Sequence, residues 1–305
     1  MKLRAIHNMM KKEALFYEKN GETVICRLCP HACRLREGQT GLCSARRASG
    51  GVLFAENYGR ISSAALDPIE KKPLKRFFPG SNILSVGSYG CNMRCAFCQN
   101  FSISQMKPLT GYPTDSRPDA LPPEKLLEAA LSMPGNLGVA FTYNEPLIGI
   151  EYILEAAPLL RKHGLKVVLV TNGMILEEPL AMALPLVDAM NIDLKAFSEK
   201  FYRRHGGSFE TVKRTIETSA QSCHVEVTTL IVPDENDGEE EMAALAGWLA
   251  LVSARSLTRC IPLHVTRFFP RFKMRDKTPT PLKTIFSLVN IAKGRLAYVY
   301  AGNVN

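Results

Sequence analysis

The chain reads as an α/β protein: a partial, TIM-like (β/α)6 barrel preceded by a small Cys-rich unit. Three observations predict this. From about residue 82 onward, short Val- and Ile-rich runs alternate six times with stretches of helical period, the pattern of a parallel sheet with crossover helices. Polar residues gather where those runs end, which is where βα barrels build their sites. Before them, residues 22–57 are rich in Cys and punctuated by Gly, with too little apolar sequence for a core of their own. The expected division is a basic, Cys-rich unit over 1–75 and the barrel over 76–305. A doubly wound open sheet is the alternative, because periodicity does not report closure.

The strand candidates are 83–88 (ILSVGS), 138–142 (GVAFT), 166–171 (KVVLVT), 189–194 (AMNIDL), 224–232 (HVEVTTLIV), 262–266 (PLHVT) and 297–300 (AYVY). Helix candidates lie between them near 123–133, 146–163, 177–185, 208–221, 239–252 and 280–293. The first opens on Pro-Pro-Glu, and the stretch near 239 opens on acidic residues that a helix N-terminus favours.

Composition narrows the class. The 305 residues are 46% hydrophobic and 22% charged, which excludes a disordered tail, a collagen-like fibre and a disulfide-dense mini-domain. No window reaches the roughly 18 apolar residues of a spanning helix, and the basic start has no apolar signal core. A soluble cytoplasmic protein is therefore expected. The net charge is +9, and residues 1–76 supply +8 of it, from 15 Lys/Arg against 7 Asp/Glu. The basic stretches 71–76 (KKPLKR) and 267–277 are candidates for an anionic substrate or a docking partner, or else plain solvated faces. No nucleic-acid-binding motif accompanies the charge.

Seven of the nine cysteines fall in two clusters, which in a cytoplasmic chain read as metal ligands or redox groups. Cys26, Cys29, Cys33 and Cys43 suit tetrahedral zinc or a second iron–sulfur cluster; zinc is the leaning, because four thiolates close a zinc site. Cys91, Cys95 and Cys98, in GCNMRCAFCQN after the first barrel strand, offer three thiolates and leave one metal position open.

C-x3-C-x-aromatic-C in this position resembles the signature of radical S-adenosylmethionine (SAM) enzymes, with Phe97 in the aromatic slot. Further segments narrow the likeness: 26–33 (CRLCPHAC), 67–74 (DPIEKKPL), 142–146 (TYNEP), 170–173 (VTNG), 191–195 (NIDLK), 262–267 (PLHVTR) and 298–304 (YVYAGNV). Together they resemble the radical SAM member of the AmmeMemoRadiSam system, which is similar to pyruvate formate-lyase activating enzymes. The resemblance implies a radical SAM barrel in which Cys91, Cys95 and Cys98 hold a [4Fe–4S] cluster and the amino and carboxylate groups of SAM chelate the open iron. One electron, from a donor such as flavodoxin or ferredoxin, breaks the C5′–S bond. A 5′-deoxyadenosyl radical results and abstracts hydrogen from a substrate.

The SAM contacts it implies are Phe97 and Gln99 beside the last cysteine, Tyr143, Asn144 and Glu145 in the place of a Gly-Gly-Glu motif, Thr171 and Asn172, Asp193 and Lys195, and His264. Two departures stand out: Tyr143-Asn144 replaces Gly-Gly, and Val170 stands where activating enzymes often have Asp. Memo-like and AMMECR-like proteins are the implied partners. The rival readings are a glycyl-radical-enzyme activase and a non-enzymatic iron–sulfur sensor or adaptor.

Overall fold

The computed structural model describes residues 12–106 and 120–304. The basic start before Lys12 lies outside the described residues.

Two small sheets form the Cys-rich unit. β1 (Tyr17–Asn20), β2 (Thr23–Cys26) and β3 (Arg34–Leu35) pair antiparallel, and β4 (Arg46–Ser49) forms a hairpin with β5 (Val52–Ala55). Gly50 and Gly51 make the hairpin turn with φ of +60° and +70°, the doubly left-handed geometry of a two-residue loop. A buried ion pair is among the contacts that fix the unit to the barrel. Arg46, 1% exposed, meets Glu151 on the helix Ile150–Lys162 and donates to the Leu15 carbonyl at 2.7 Å. Removing one partner of such a pair strands a buried charge, at a cost of about 3–5 kcal/mol.

The large sheet has eight strands in the linear order β13-β12-β11-β10-β9-β8-β7-β6. Seven are parallel: β7 (Asn82–Gly87), β8 (Asn136–Phe141), β9 (Lys166–Thr171), β10 (Ala189–Asp193), β11 (His224–Ile231), β12 (Leu263–Arg267) and β13 (Val299–Gly302). Each matches a sequence candidate within three residues. Their apolar runs reflect burial on both faces, by crossover helices outside and by the lumen inside. The edge strand β6 (Ser63–Pro68) pairs antiparallel with β7. Its short, largely exposed sequence, SAALDP, carries no apolar run for periodicity to detect.

The helices Pro123–Leu131, Ile150–Lys162, Glu177–Ala183, Phe209–Ser219, Glu239–Arg255 and Leu282–Lys293 match the expected six. The 146–163 candidate divides into a 3-10 turn, Pro146–Gly149, and the helix proper. The short helix Glu199–Arg204, capped by Ser198 accepting from Phe201 N–H, was not foreseen from periodicity.

The lower lumen is filled by the segment joining β6 to β7. Ile69 and Leu74 are fully buried and Phe77 nearly so, packed with Ile83, Ala140, Val168 and Ala189. Main-chain groups anchor this plug: Lys75 and Arg76 N–H donate to Glu226 at 3.0 and 2.6 Å, and Asn191 donates to the Pro73 carbonyl at 2.9 Å. The 71–76 stretch is therefore no simple solvated face, since Lys72 is 3% exposed and bonds Asp67 at 2.8 Å.

Candidate active site

Above the plug, at the C-terminal ends of the strands, a cavity of about 360 Å³ opens. Cys91, Cys95, Phe97, Cys98 and Gln99 line one side of it, from the loop after β7. Tyr143, Asn144 and Glu145 come from the end of β8, Thr171 and Asn172 from β9, and Asp193 and Lys195 from β10. One rim thus gathers residues more than a hundred positions apart in sequence, because parallel strands end on one side of the sheet.

The cysteine loop is held from several directions. Gly90 has φ +87°, and a Cβ there would sit 2.4 Å from the Cys43 carbonyl oxygen, so only glycine fits. Cys91 N–H donates to that same carbonyl at 3.2 Å, and Arg94 N–H to His205 O at 2.8 Å. Arg94 also donates from its guanidinium to Leu42 O and, at 3.0 Å, to Cys91 O. Phe97 is 3% exposed and packs on Phe201 and His205.

Burial pushes the Cys91 and Cys98 thiols up and the Cys95 thiol to about 11, with the Lys195 ammonium pulling Cys95 back. A metal group must therefore displace protons from these thiols as it binds. Among the described residues no three Cys, His, Asp or Glu side chains converge closely enough for a single metal ion. Three free thiols spread along one cavity wall suit the larger frame of an iron–sulfur cluster, with the rest of the cavity left for a second ligand.

Opposite the thiols, Lys195 Nζ lies 2.7 Å from Asp193 Oδ2. Burial lowers the Lys195 ammonium's affinity for its proton, but Asp193 and the Cys95 sulfur outweigh it and hold the group above its ordinary value. Glu145 accepts from Leu147 N–H at 3.0 Å, Thr171 Oγ1 at 2.7 Å and Asn172 N–H at 2.8 Å, clasping the β8 and β9 loops together. Burial nonetheless raises its carboxyl to about 7. Asn172 donates to Asn92 Oδ1 at 3.0 Å and towards Cys91 Sγ at 3.5 Å. Asn144 accepts from Ser88 N–H at 2.9 Å and donates to Gly90 O at 3.1 Å. Tyr143, where the resemblance has glycine, takes the left-handed φ of +70°. Its hydroxyl donates to Asp67 at 2.8 Å.

His264 is the one expected SAM contact that does not line this cavity. It sits a pleat deeper than Thr266 on β12, 4% exposed, and its Nε2 bonds Glu226 at 2.6 Å. Strand periodicity predicts the face a residue occupies, and His264 does face the lumen. It does not predict the depth. Lys71, from the basic stretch offered for an anionic substrate, reaches the cavity wall; sequence reading missed Asn303 beside it and Glu226 beneath it. The signal for Glu226 was a lone acid inside the apolar run HVEVTTLI.

The fold and site define a βα barrel whose rim gathers three free thiols beside an ammonium–carboxylate pair. The chain belongs to the radical SAM superfamily, whose family model matches residues 85–246, more than half of it. It is 39% identical over 304 residues to "Uncharacterized protein MJ0808" of Methanocaldococcus jannaschii, covering 96% of this chain and 85% of that one. Among solved structures, Streptococcus suis SuiB is 13% identical with a TM-score of 0.52, over 71% of this chain and 47% of its own. A domain of pyruvate-formate lyase-activating enzyme from Bacteroides vulgatus, 18% identical, gives a TM-score of 0.47 over 54% of this chain and 99% of its own. Membership implies an enzyme with a [4Fe–4S] cluster and SAM. No helix among the described residues is long and apolar enough to cross a membrane.

Proposed function

We propose that Cys91, Cys95 and Cys98 hold the [4Fe–4S] cluster and that the remaining cavity binds SAM and, beyond it, the molecule from which hydrogen is taken. The observation that carries this reading is the meeting of all three thiols with Asp193, Lys195, Asn144 and Asn172 in one cavity. When bound, the cluster and SAM supply a single electron and a 5′-deoxyadenosyl radical; this hard chemistry is the cofactors' own.

The chain's residues place and shield. Lys195 and Asp193 present adjacent opposite charges, a match for the carboxylate and ammonium of the methionine part of SAM. Phe97 offers an apolar face and Gln99 a polar one beside the last cysteine, suited to adenine. Glu145 clasps the β8 and β9 loops, and its Oε2, with one hydrogen bond, keeps acceptor capacity for the SAM ammonium. His264 acts through Glu226 on the plug beneath the cavity.

The substrate side is cationic. Lys71 reaches the cavity with 68% of its side chain exposed, and its nearest acid, Asp67 at 3.6 Å, is shared with Lys72. One carboxylate facing two ammonium groups leaves a surplus positive charge, which favours a substrate carrying a carboxylate or phosphate. The whole-chain pattern of motifs favours work in the cytoplasm with Memo-like and AMMECR-like partners and a flavodoxin or ferredoxin donor. Activation of a glycyl radical enzyme, in the manner of the pyruvate formate-lyase activating enzymes, is the second reading. The N-terminal thiols add a metal centre, zinc or cluster, to the same enzyme.

The test is anaerobic. Reconstituted protein given SAM and dithionite is expected to form 5′-deoxyadenosine, and a Cys91→Ala variant is not. Equal product from both proteins would remove the cluster assignment.

A further inference from the structure

Four thiols stand outside the cavity just described. Cys26, Cys29 and Cys43 are 6–8% exposed and Cys33 is half-buried; all four are free. They line one hollow with His31 and the buried guanidinium of Arg46. The segment that carries them has two-to-four-residue strands and packs Val24, Leu28, Leu35 and Leu53 into the barrel's apolar cluster, so the thiols line a formed hollow.

Four thiols lining one hollow can hold either zinc or an iron–sulfur cluster, and of the two only a cluster carries electrons.

The two thiol sets are also wired together. The Cys43 carbonyl accepts from Cys91 N–H at 3.2 Å, and the glycine at 90 lets the two chain segments touch. His31 Nε2 donates to the Asn92 carbonyl at 2.7 Å. The Asn92 side chain reaches the Cys29 thiol and accepts from Asn172, whose amide also points at Cys91 Sγ. Two routes of covalent and hydrogen bonds therefore join the sets.

We propose that Cys26, Cys29, Cys33 and Cys43 hold a second iron–sulfur cluster that relays single electrons to the cluster at the barrel mouth. This rests on the radical SAM reading above. One electron passes from a reduced flavodoxin- or ferredoxin-type carrier to the N-terminal cluster. The same electron moves on to the mouth cluster and is consumed in reductive cleavage of the SAM sulfonium, so the N-terminal cluster returns to its oxidised state. The carrier docks where Cys33 approaches the surface, beside the exposed Arg34 and Arg36, a basic patch complementary to an acidic carrier.

The experiment uses the full chain, reconstituted anaerobically with iron, sulfide and zinc all present. The wild type is expected to hold about eight iron, and a Cys29→Ser/Cys33→Ser variant about four. In that variant the remaining cluster's electron paramagnetic resonance signal still shifts on adding SAM, which shows an intact barrel. Its dithionite-driven SAM cleavage stays within about twofold of wild type, and cleavage driven by reduced flavodoxin falls at least about tenfold, or ~1.4 kcal/mol. An Arg34→Glu/Arg36→Glu variant, with every thiol in place, is expected to slow only the flavodoxin-driven reaction. About four iron plus one zinc in the wild type overturns the proposal, as does undiminished flavodoxin-driven cleavage by the thiol variant. Absence of 5′-deoxyadenosine from the wild type under dithionite counts against the catalytic reading alone, and the iron count still decides the second cluster.

Discussion

The two ends of the barrel lumen are built from the same strands and differ in what closes them. At the mouth, polar side chains from β8, β9 and β10 surround open space, and Asp193 and Lys195 chiefly hold each other. At the floor, Asn191, Glu226 and His264 point into the same lumen one pleat lower, and the chain's own segment fills it. A buried polar group has to be paired, and there are two sources of partners: the protein itself or something that arrives later. The floor takes the first and the mouth keeps the second. Substitutions at the floor should therefore cost stability, and substitutions at the mouth should cost binding and turnover.

The largest effect is expected from the mouth. Cys98→Ala should reduce 5′-deoxyadenosine formation at least about a thousandfold, roughly 4 kcal/mol, while the urea midpoint of the metal-free protein moves little. Glu226→Ala comes next and reverses the pattern. It leaves two main-chain N–H groups and two histidines without their acceptor, and chemical denaturation should show a loss of about 3–5 kcal/mol. Near-wild-type stability in that variant would abolish the distinction between the two ends.

A smaller, pH-dependent effect sharpens it. Burial pushes the Glu226 carboxyl up, but hydrogen bonds from His224, His264 and the Arg76 N–H more than offset this and hold it at about 2, against 4.5 ordinarily. The stabilisation is thus complete above 4.5 and is lost as pH falls towards 2. Between pH 5 and pH 3 the wild type should lose about 2 kcal/mol more than Glu226→Gln. Identical losses would mean that the carboxylate is not held as described. The smallest effect belongs to the mouth again: Lys195→Met should weaken SAM binding about tenfold, ~1.4 kcal/mol by calorimetry, with the iron content unchanged.

Much of this architecture was legible in the sequence because the signals were local. Seven parallel strands announced themselves as Val- and Ile-rich runs, and the Cys91–Cys98 spacing fixed one wall of the cavity before any fold was known. What stayed hidden depends on contacts distant in sequence. The 71–76 stretch reads as a basic face, yet it is half interior, because Glu226 and Asn191 capture its main chain and that capture leaves no compositional mark. β6 was invisible because an exposed edge strand needs no apolar alternation. His264 has the right face and the wrong depth, a distinction that only register with β11 and β13 supplies.

The plug also sets a schedule for the making of the protein. Arg76 finds its acceptor, Glu226, 150 residues later in the chain. At about 5–20 residues per second, a ribosome needs roughly 8–30 s to bridge that interval. Throughout it the Cys-rich unit, although synthesised first, stands without a barrel floor beneath its linker and without Glu151 opposite Arg46 until that helix emerges. The metal centre proposed for these thiols would therefore be loaded most readily during translation, before the barrel closes over the plug.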